Sequence, residues 1–275
     1  MDNDQLSVLC RQMREDIVKM CYRLGDNAAH LGGCMSLVEL LAVLYTRFLR
    51  WDSENPSAEA RDRLIMSKGQ GSIAMYAAMR IKEGKPDLDE IGDLLGEGNI
   101  YYKQSVRNPA RGIEFSSGSL GQGLAYGVGI AWAIRKKGNR TSKVYVFCGD
   151  GECDEGSVWE AASLAGHLQL DNLIVVVDQN GLQIDGYTRD INCMDRLGER
   201  FAAFGFDTVM IDGHNVEQIE RAFLQTSNSK PRAIIAKTVK GMGVHFAEDR
   251  AEWHQNVLTE ELFQQALRDV REGGV

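Results

Sequence analysis

The 275-residue chain has no apolar run approaching the ~20 residues needed to span a bilayer, so no membrane partner is expected. It has no surplus of positive charge. Its 31 Lys and Arg stand against 39 Asp and Glu, a formal net charge of −8, and no basic patch stands out. Nucleic acid is therefore not an expected partner. There is no C-x-x-C pair; six scattered cysteines read as free thiols in a reducing compartment. The N-terminal MDNDQLSVLCRQMREDIVKM is acidic and amphipathic, without the charged-then-apolar layout of a signal peptide, so a cytoplasmic location is expected. Internal repeats, low-complexity tracts and an obvious linker are also lacking. What is present is a 44% hydrophobic composition, enough for a substantial core, and a length that suits a single domain over residues 1–275.

The apolar residues follow two periods. Lys143–Cys148 and Asn172–Asp178 read as buried strands, Phe206–Ile211 and Pro231–Val239 as strands, and Asp62–Ser67 as a short one. Helices are expected over Gln5–Leu24, Ser72–Lys82, Leu120–Lys136, Ser157–Leu168, Asp195–Phe204, Val216–Gln225 and Leu258–Val270. Ser36–Leu49 is read as a helix capped by Ser36, with Glu39 completing a capping box. Gly84–Asn108 is polar, with turn signals at Lys85-Pro86-Asp87 and Gly96-Glu97-Gly98-Asn99, and is expected to be loop-rich. Strands alternating with helices predict an α/β fold: a doubly wound, mostly parallel sheet with helices on both faces.

The stretch richest in chemistry is Gly149-Asp150-Gly151-Glu152-Cys153-Asp154-Glu155-Gly156, with Asn180 thirty positions after Asp150. Each of Asp150 and Asn180 follows a predicted strand, so both belong at the carboxyl edge of the sheet, where open α/β folds bind ligands. A carboxylate and an amide oxygen are hard ligands that suit Mg²⁺ or Ca²⁺, and Mg²⁺ completes its shell from substrate phosphates. Glycines on either side of Asp150 let a diphosphate approach the backbone, and the nearby helix start favours negative charge. Cys153 lies inside this loop, a position open to oxidation with no sequence sign of a catalytic role.

The full run GDGECDEGSVWEAASLAGHLQLDNLIVVVDQNGLQIDG resembles the thiamine-diphosphate signature of transketolases. Gly112–Gly123 is similar to the family's G-x-E-x-x-S/T-G-S-L-G-Q-G, Lys240–Val244 to K-G-x-G-V, and Trp253-His254 to W-H, so the resemblance extends from about Arg14 to Leu267. It implies the family's diphosphate-binding (PP-type) domain, with thiamine diphosphate and a divalent metal as cofactors. The metal ligands it implies are Asp150, Asn180 and the backbone carbonyl of Leu182. Gly118, Gly149, Gly151, Glu152 and His254 would approach the cofactor, Leu120 would wall the thiazolium pocket, and Ile184 would pack on the cofactor ring. His30 and His254 would contact the donor sugar near its reacting carbon. Glu155 and Glu160 would meet their mates across a dimer interface and share protons. Two positions depart from the pattern. Gln70 stands at a cofactor-side position where the family has His, and it keeps hydrogen bonding but cannot carry a proton. Asn108 stands in place of a substrate-contacting His. His214, in Asp212-Gly213-His214-Asn215, reads only as part of a turn and helix cap.

A whole transketolase also has a pyrimidine-binding domain, whose glutamate generates the cofactor's ylid, and no glutamate here takes that role. The resemblance therefore implies the N-terminal subunit of a split transketolase, in a complex of two such chains with two pyrimidine-domain chains. Such an enzyme moves a two-carbon ketol unit from a ketose to an aldose phosphate, and the two departures suggest either an unusual sugar phosphate or the ordinary pentose phosphates. Two other readings stand beside it. One is a different thiamine enzyme component, such as a deoxyxylulose-phosphate synthase relative or a 2-oxoacid dehydrogenase α-subunit. The other is a non-catalytic cofactor-binding paralogue.

Overall fold

The computed structural model describes residues 2–84, 101–192, 195–225 and 229–273. Helix α1 (Asn3–Arg23) is started by a capping box: the Asp2 carboxylate accepts from the Gln5 N–H at 2.8 Å, and the Gln5 side chain accepts from the Asp2 N–H at 3.2 Å. Leu6, Met13, Ile17 and Met20 form the stripe it buries.

The segment expected as one helix over Ser36–Leu49 is built differently. The chain becomes helical earlier, at α2 (Leu31–Met35), turns at Ser36-Leu37, resumes as α3 (Val38–Val43) and closes in a π-turn over Leu44–Phe48. Ser36 caps nothing. Its hydroxyl is buried and donates to Asp178 Oδ2 at 2.7 Å. Glu39 is also buried and is paired with Arg14 and His214. Long-range partners for a buried hydroxyl and carboxylate outweigh a local capping contact worth about 1 kcal/mol.

The main sheet is parallel throughout. Strands β1 (Arg63–Met66), β2 (Val144–Gly149) and β3 (Leu173–Gln179) lie side by side. The hairpin β4 (Leu182–Gln183) and β5 (Gly186–Tyr187) stands outside it. Strands β6 (Asp207–Asp212) and β7 (Arg232–Lys237) complete the order β1-β2-β3-β7-β6. Alternate residues serve two cores, the period-two rule of a strand. Tyr145, Phe147, Ile174, Val176, Ile234 and Ala236 pack with α1–α3, α4 (Ser72–Lys82), α9 (Val216–Leu224) and α10 (Glu260–Glu272). Val144, Val146, Cys148, Val175, Val177 and Ile235 pack with α5 (Gln122–Lys136), α6 (Gly156–His167) and α8 (Leu197–Ala203). Burial on both faces explains why these strands read as continuous apolar runs. The doubly wound α/β expectation therefore holds.

One helical turn, α7 (Thr188–Ile191), follows the hairpin; no sequence period marks either. In the stretch expected to be loop-rich, residues 85–100, with both turn signals, lie outside the described residues. Beyond it, Ser105 is pinned: its N–H meets Ser72 Oγ at 2.9 Å and Ser117 Oγ at 3.0 Å. Among the described residues, no helix is long and apolar enough to cross a membrane.

Candidate active site

A cavity of about 320 Å³ opens beyond the carboxyl ends of β1, β2, β3 and β7. Each strand exit contributes to its wall: Lys68 and Gln70 after β1, Gly149, Gly151 and Glu152 at β2, Asn180 and Leu182 after β3, and Lys240 after β7. Gly33, Leu120, Ile184 and His254 close the remaining sides. This is the crevice that parallel α/β sheets offer to ligands.

Asp150 is buried at the β2 exit. Its Oδ1 accepts from the Gly151 N–H at 3.0 Å and its Oδ2 from the Gly181 N–H at 2.7 Å. Burial, and then the neighbouring Asp178 charge, push its carboxyl up to about 6. A bound cation would reverse that penalty by favouring the anion. Asn180 is oriented by its neighbours: its Nδ2 donates to Asp178 Oδ2 at 2.9 Å and its Oδ1 accepts from the Leu182 N–H at 3.1 Å. Among the described residues, no cluster of three or more His, Cys, Asp or Glu could hold a metal. The cation site on offer is sparse, with one carboxylate, one amide and the Leu182 carbonyl, the kind that Mg²⁺ fills with phosphate oxygens and water.

Two buried lysines give the cavity its sign, and sequence reading assigned a role to neither. Lys68 pairs with Asp178, a fully buried carboxylate that also receives Ser36, Asn180 and Thr238. Lys240 is 2% exposed, and no carboxylate among the described residues pairs with it. Its Nζ reaches only the Leu182 carbonyl at 3.0 Å and His254 Nδ1 at 3.1 Å. Burial first, then the Lys68 charge, bring its ammonium down to about 8. The more distant Asp178 and Asp150 charges offset only part of that burial cost, and the ammonium lies in the wall of a cavity that could admit a further anion.

His30 and His254 are brought together, ring centroids 5.6 Å apart and nearly perpendicular. Burial and nearby lysines lower His30 to about 4 and His254 to about 3, so both rings are neutral at neutral pH. His30 Nδ1 is buried with no hydrogen-bond partner among the described residues.

A histidine whose folded pKa falls from 6.5 to about 4 contributes stability that is present above pH 6.5 and lost as pH drops towards 4. Asp150 and Asp16, both raised to about 6, run in the opposite direction, so the wild-type curve alone does not isolate the effect. The His30→Gln variant does. Between pH 6.5 and 4 it should gain on the wild type by up to about 3 kcal/mol in urea unfolding. A stability gap that is flat with pH would show that His30 does not enter the folded state neutral.

Other expected site residues land elsewhere. Glu152 lines the cavity, but its oxygens are taken by Ser67, by the Gly121 N–H at 2.9 Å and by the Gly149 N–H at 3.1 Å, so it clamps three loops together. Glu155, just before α6, and Glu160, on it, are exposed and lie outside the cavity. Asn108 forms a bridge with Ile113, its N–H donating to the Ile113 carbonyl at 2.8 Å, and does not reach the cavity wall. The residue beside Gly118 is Gln104: a Cβ at Gly118, where φ is +130°, would lie 2.7 Å from Gln104 Oε1. Cys153 is fully buried and its thiol is pushed well above its ordinary value by burial, which removes the oxidation-prone reading.

Fold and cavity together define a doubly wound α/β domain with a ligand-sized cavity at the carboxyl edge of its parallel sheet. The family described as "Transketolase, thiamine diphosphate binding domain" matches residues 9–270. The chain belongs to this transketolase family. It is 38% identical to the 6-deoxy-6-sulfo-D-fructose transketolase subunit SqwG of Clostridium sp. (strain MSTE9), over 98% of this chain and 96% of that one. It is 36% identical to an apulose-4-phosphate transketolase subunit of Phocaeicola vulgatus, over 99% and 96%. The structure superposes on transketolase from Campylobacter jejuni with a TM-score of 0.87 at 30% identity, covering 98% of this chain and 43% of that one.

Proposed function

We propose that this chain is the diphosphate-binding subunit of a two-subunit transketolase that moves a two-carbon ketol unit from a ketose to an aldose phosphate. The observation that carries this reading is the buried Lys240 ammonium in the cavity wall, which forms no salt bridge among the described residues and lies within reach of the Asp150 charge, with Asn180 in the same wall. A polyanion with its own divalent cation fits both needs. Asp150, Asn180 and the Leu182 carbonyl would hold Mg²⁺ (or Ca²⁺), and Lys240 and Lys68 would neutralise the diphosphate. Bound thiamine diphosphate supplies the carbanion equivalent that breaks and makes the carbon–carbon bond. The protein's share is orientation and hydrogen bonding. His30 and His254, held neutral, donate to the oxygen on which charge develops and to the adjacent hydroxyl of the donor. Gln70 adds an uncharged contact.

The relatives' names are those of subunits, which supports a partner chain carrying the pyrimidine side, in a complex of two chains of each kind. Exposed Glu155 and Glu160 are then contacts between copies of this chain. The same names carry a sulfo or a phosphate group on the sugar, so the donor is proposed to be a modified ketose with an anionic tail. The setting is cytoplasmic.

The test is kinetic. In the complex with its partner, His30→Ala and His254→Ala should each lower kcat by about 10²–10³, the usual cost of losing a donor aimed at developing charge, with cofactor affinity retained. Near-normal turnover in either variant would remove that histidine from the site.

A further inference from the structure

We propose that His214 is a positioning residue for the anion-binding wall of the cavity, acting through Lys240 by way of the Val239 backbone; this rests on the assignment of Lys240 to the diphosphate. His214 lies in the turn after β6 and does not line the cavity. Its Nε2 lies 2.9 Å from the Val239 nitrogen, whose N–H can only donate, so Nε2 is unprotonated and accepts. The ring proton is therefore on Nδ1, which donates to Glu39 Oε2 at 2.9 Å. The other Glu39 oxygen lies 2.7 Å from Arg14 Nη2, and both side chains are buried. Arg14 Nε in turn donates to the Met242 carbonyl at 3.2 Å.

The chain Arg14–Glu39–His214 thus grips the backbone on both sides of Lys240, at Val239 and at Met242. Gly243, with φ +88°, is the point of closest approach: a Cβ there would lie 2.9 Å from Arg14 Nε. Lys240 needs this grip because its own side chain has only two neutral contacts, the Leu182 carbonyl and His254. A buried ion pair is weak evidence for stability, since apolar residues of the same volume often serve as well. Its geometry here supplies a different reason: it aims a backbone segment.

The test is a double-mutant cycle on the full chain, read as the affinity for inorganic pyrophosphate with Mg²⁺ by calorimetry, with the thermal midpoint as a check on folding. His214→Phe keeps the ring volume and removes both nitrogens; it should weaken pyrophosphate binding about 10-fold, the scale of coupling between contacting groups. His214→Gln, whose amide can accept from Val239 and donate to Glu39, should restore most of it. Lys240→Met should weaken binding at least as much, and the double variant should be no weaker than Lys240→Met alone. Unchanged affinity in His214→Phe, or losses that multiply in the double variant, would overturn the positioning role and leave Lys240 in place. Unchanged affinity in Lys240→Met would overturn the Lys240 assignment and this inference together. If His214→Phe does not fold, His214→Asn takes its place in the same cycle, because its amide reaches Glu39 but stops short of Val239.

Discussion

Replacing Asp150 should abolish metal-dependent binding of thiamine diphosphate. Asp150 is the one carboxylate in the proposed cation set, and the diphosphate charge depends on the cation for neutralisation. Asp150→Ala also strips the Gly151 and Gly181 N–H groups of their acceptor, a buried loss of about 1–3 kcal/mol in its own right. Asp150→Asn brings the two effects closer to separation, because it keeps an oxygen for one of the N–H groups while losing the charge and the other acceptor. Both variants should lose more cofactor affinity than the ~10–100-fold that changes behind a metal's own ligands cost. Asp150→Asn should keep a thermal midpoint close to wild type. Calorimetry on the complex showing unchanged affinity in either variant would remove Asp150 from the metal site.

The purified chain alone should transfer no two-carbon units, and mixing with a pyrimidine-domain partner should restore activity. Of the two acids that line the cavity, Glu152 is bound up in protein contacts and Asp185 stands exposed beside Ile184; the glutamate for the far end of the cofactor is expected from the partner. Glu152 is spent on three protein donors and Asp150 on two. Two large apolar residues stand exposed at the cavity's edge, Ile184 at 63% and Ile191 at 45%, on the hairpin and the turn that follows it. Contiguous exposed apolar residues around a cavity mark a surface that another chain covers. The expected assembly has two chains of each kind, measurable by light scattering, with activity followed in a coupled sugar assay. Enzymatic rates from this chain, shown by mass spectrometry to be free of any partner, would sink the two-subunit reading.

The elements that could be read in advance are those with strong local signals. β2, β3 and β7 are buried on both faces, so each stands out as an apolar run of strand length. The Asp150 loop was legible because the whole run from Gly149 to Gly186, and not its three-residue glycine turn alone, resembles the family's signature. The π-turn at Leu44–Phe48 and the hairpin after Asn180 were not legible, because no local period marks either. Asn108 is held by its bridge to Ile113 and lies off the cavity wall, a placement that its Asn-Pro pair does not announce. The Ser105 hydroxyl network fixes the loop's register and turns Gln104, not Asn108, towards Gly118.

By itself the sequence determined the parallel α/β class, the strand exits that carry Asp150 and Asn180, and the acidic character that argues against nucleic acid. These follow from periodicity, turn chemistry and charge, which are properties of neighbours along the chain. Only the tertiary structure decided that Lys68 and Lys240 meet in one cavity wall, that Glu152 ties Ser67, Gly121 and Gly149 together, and that His214 accepts from the Val239 N–H next to Lys240. Each of those depends on which groups burial brings within hydrogen-bond distance across long sequence separations. Once water is excluded, a group's role is set by the partner it finds there.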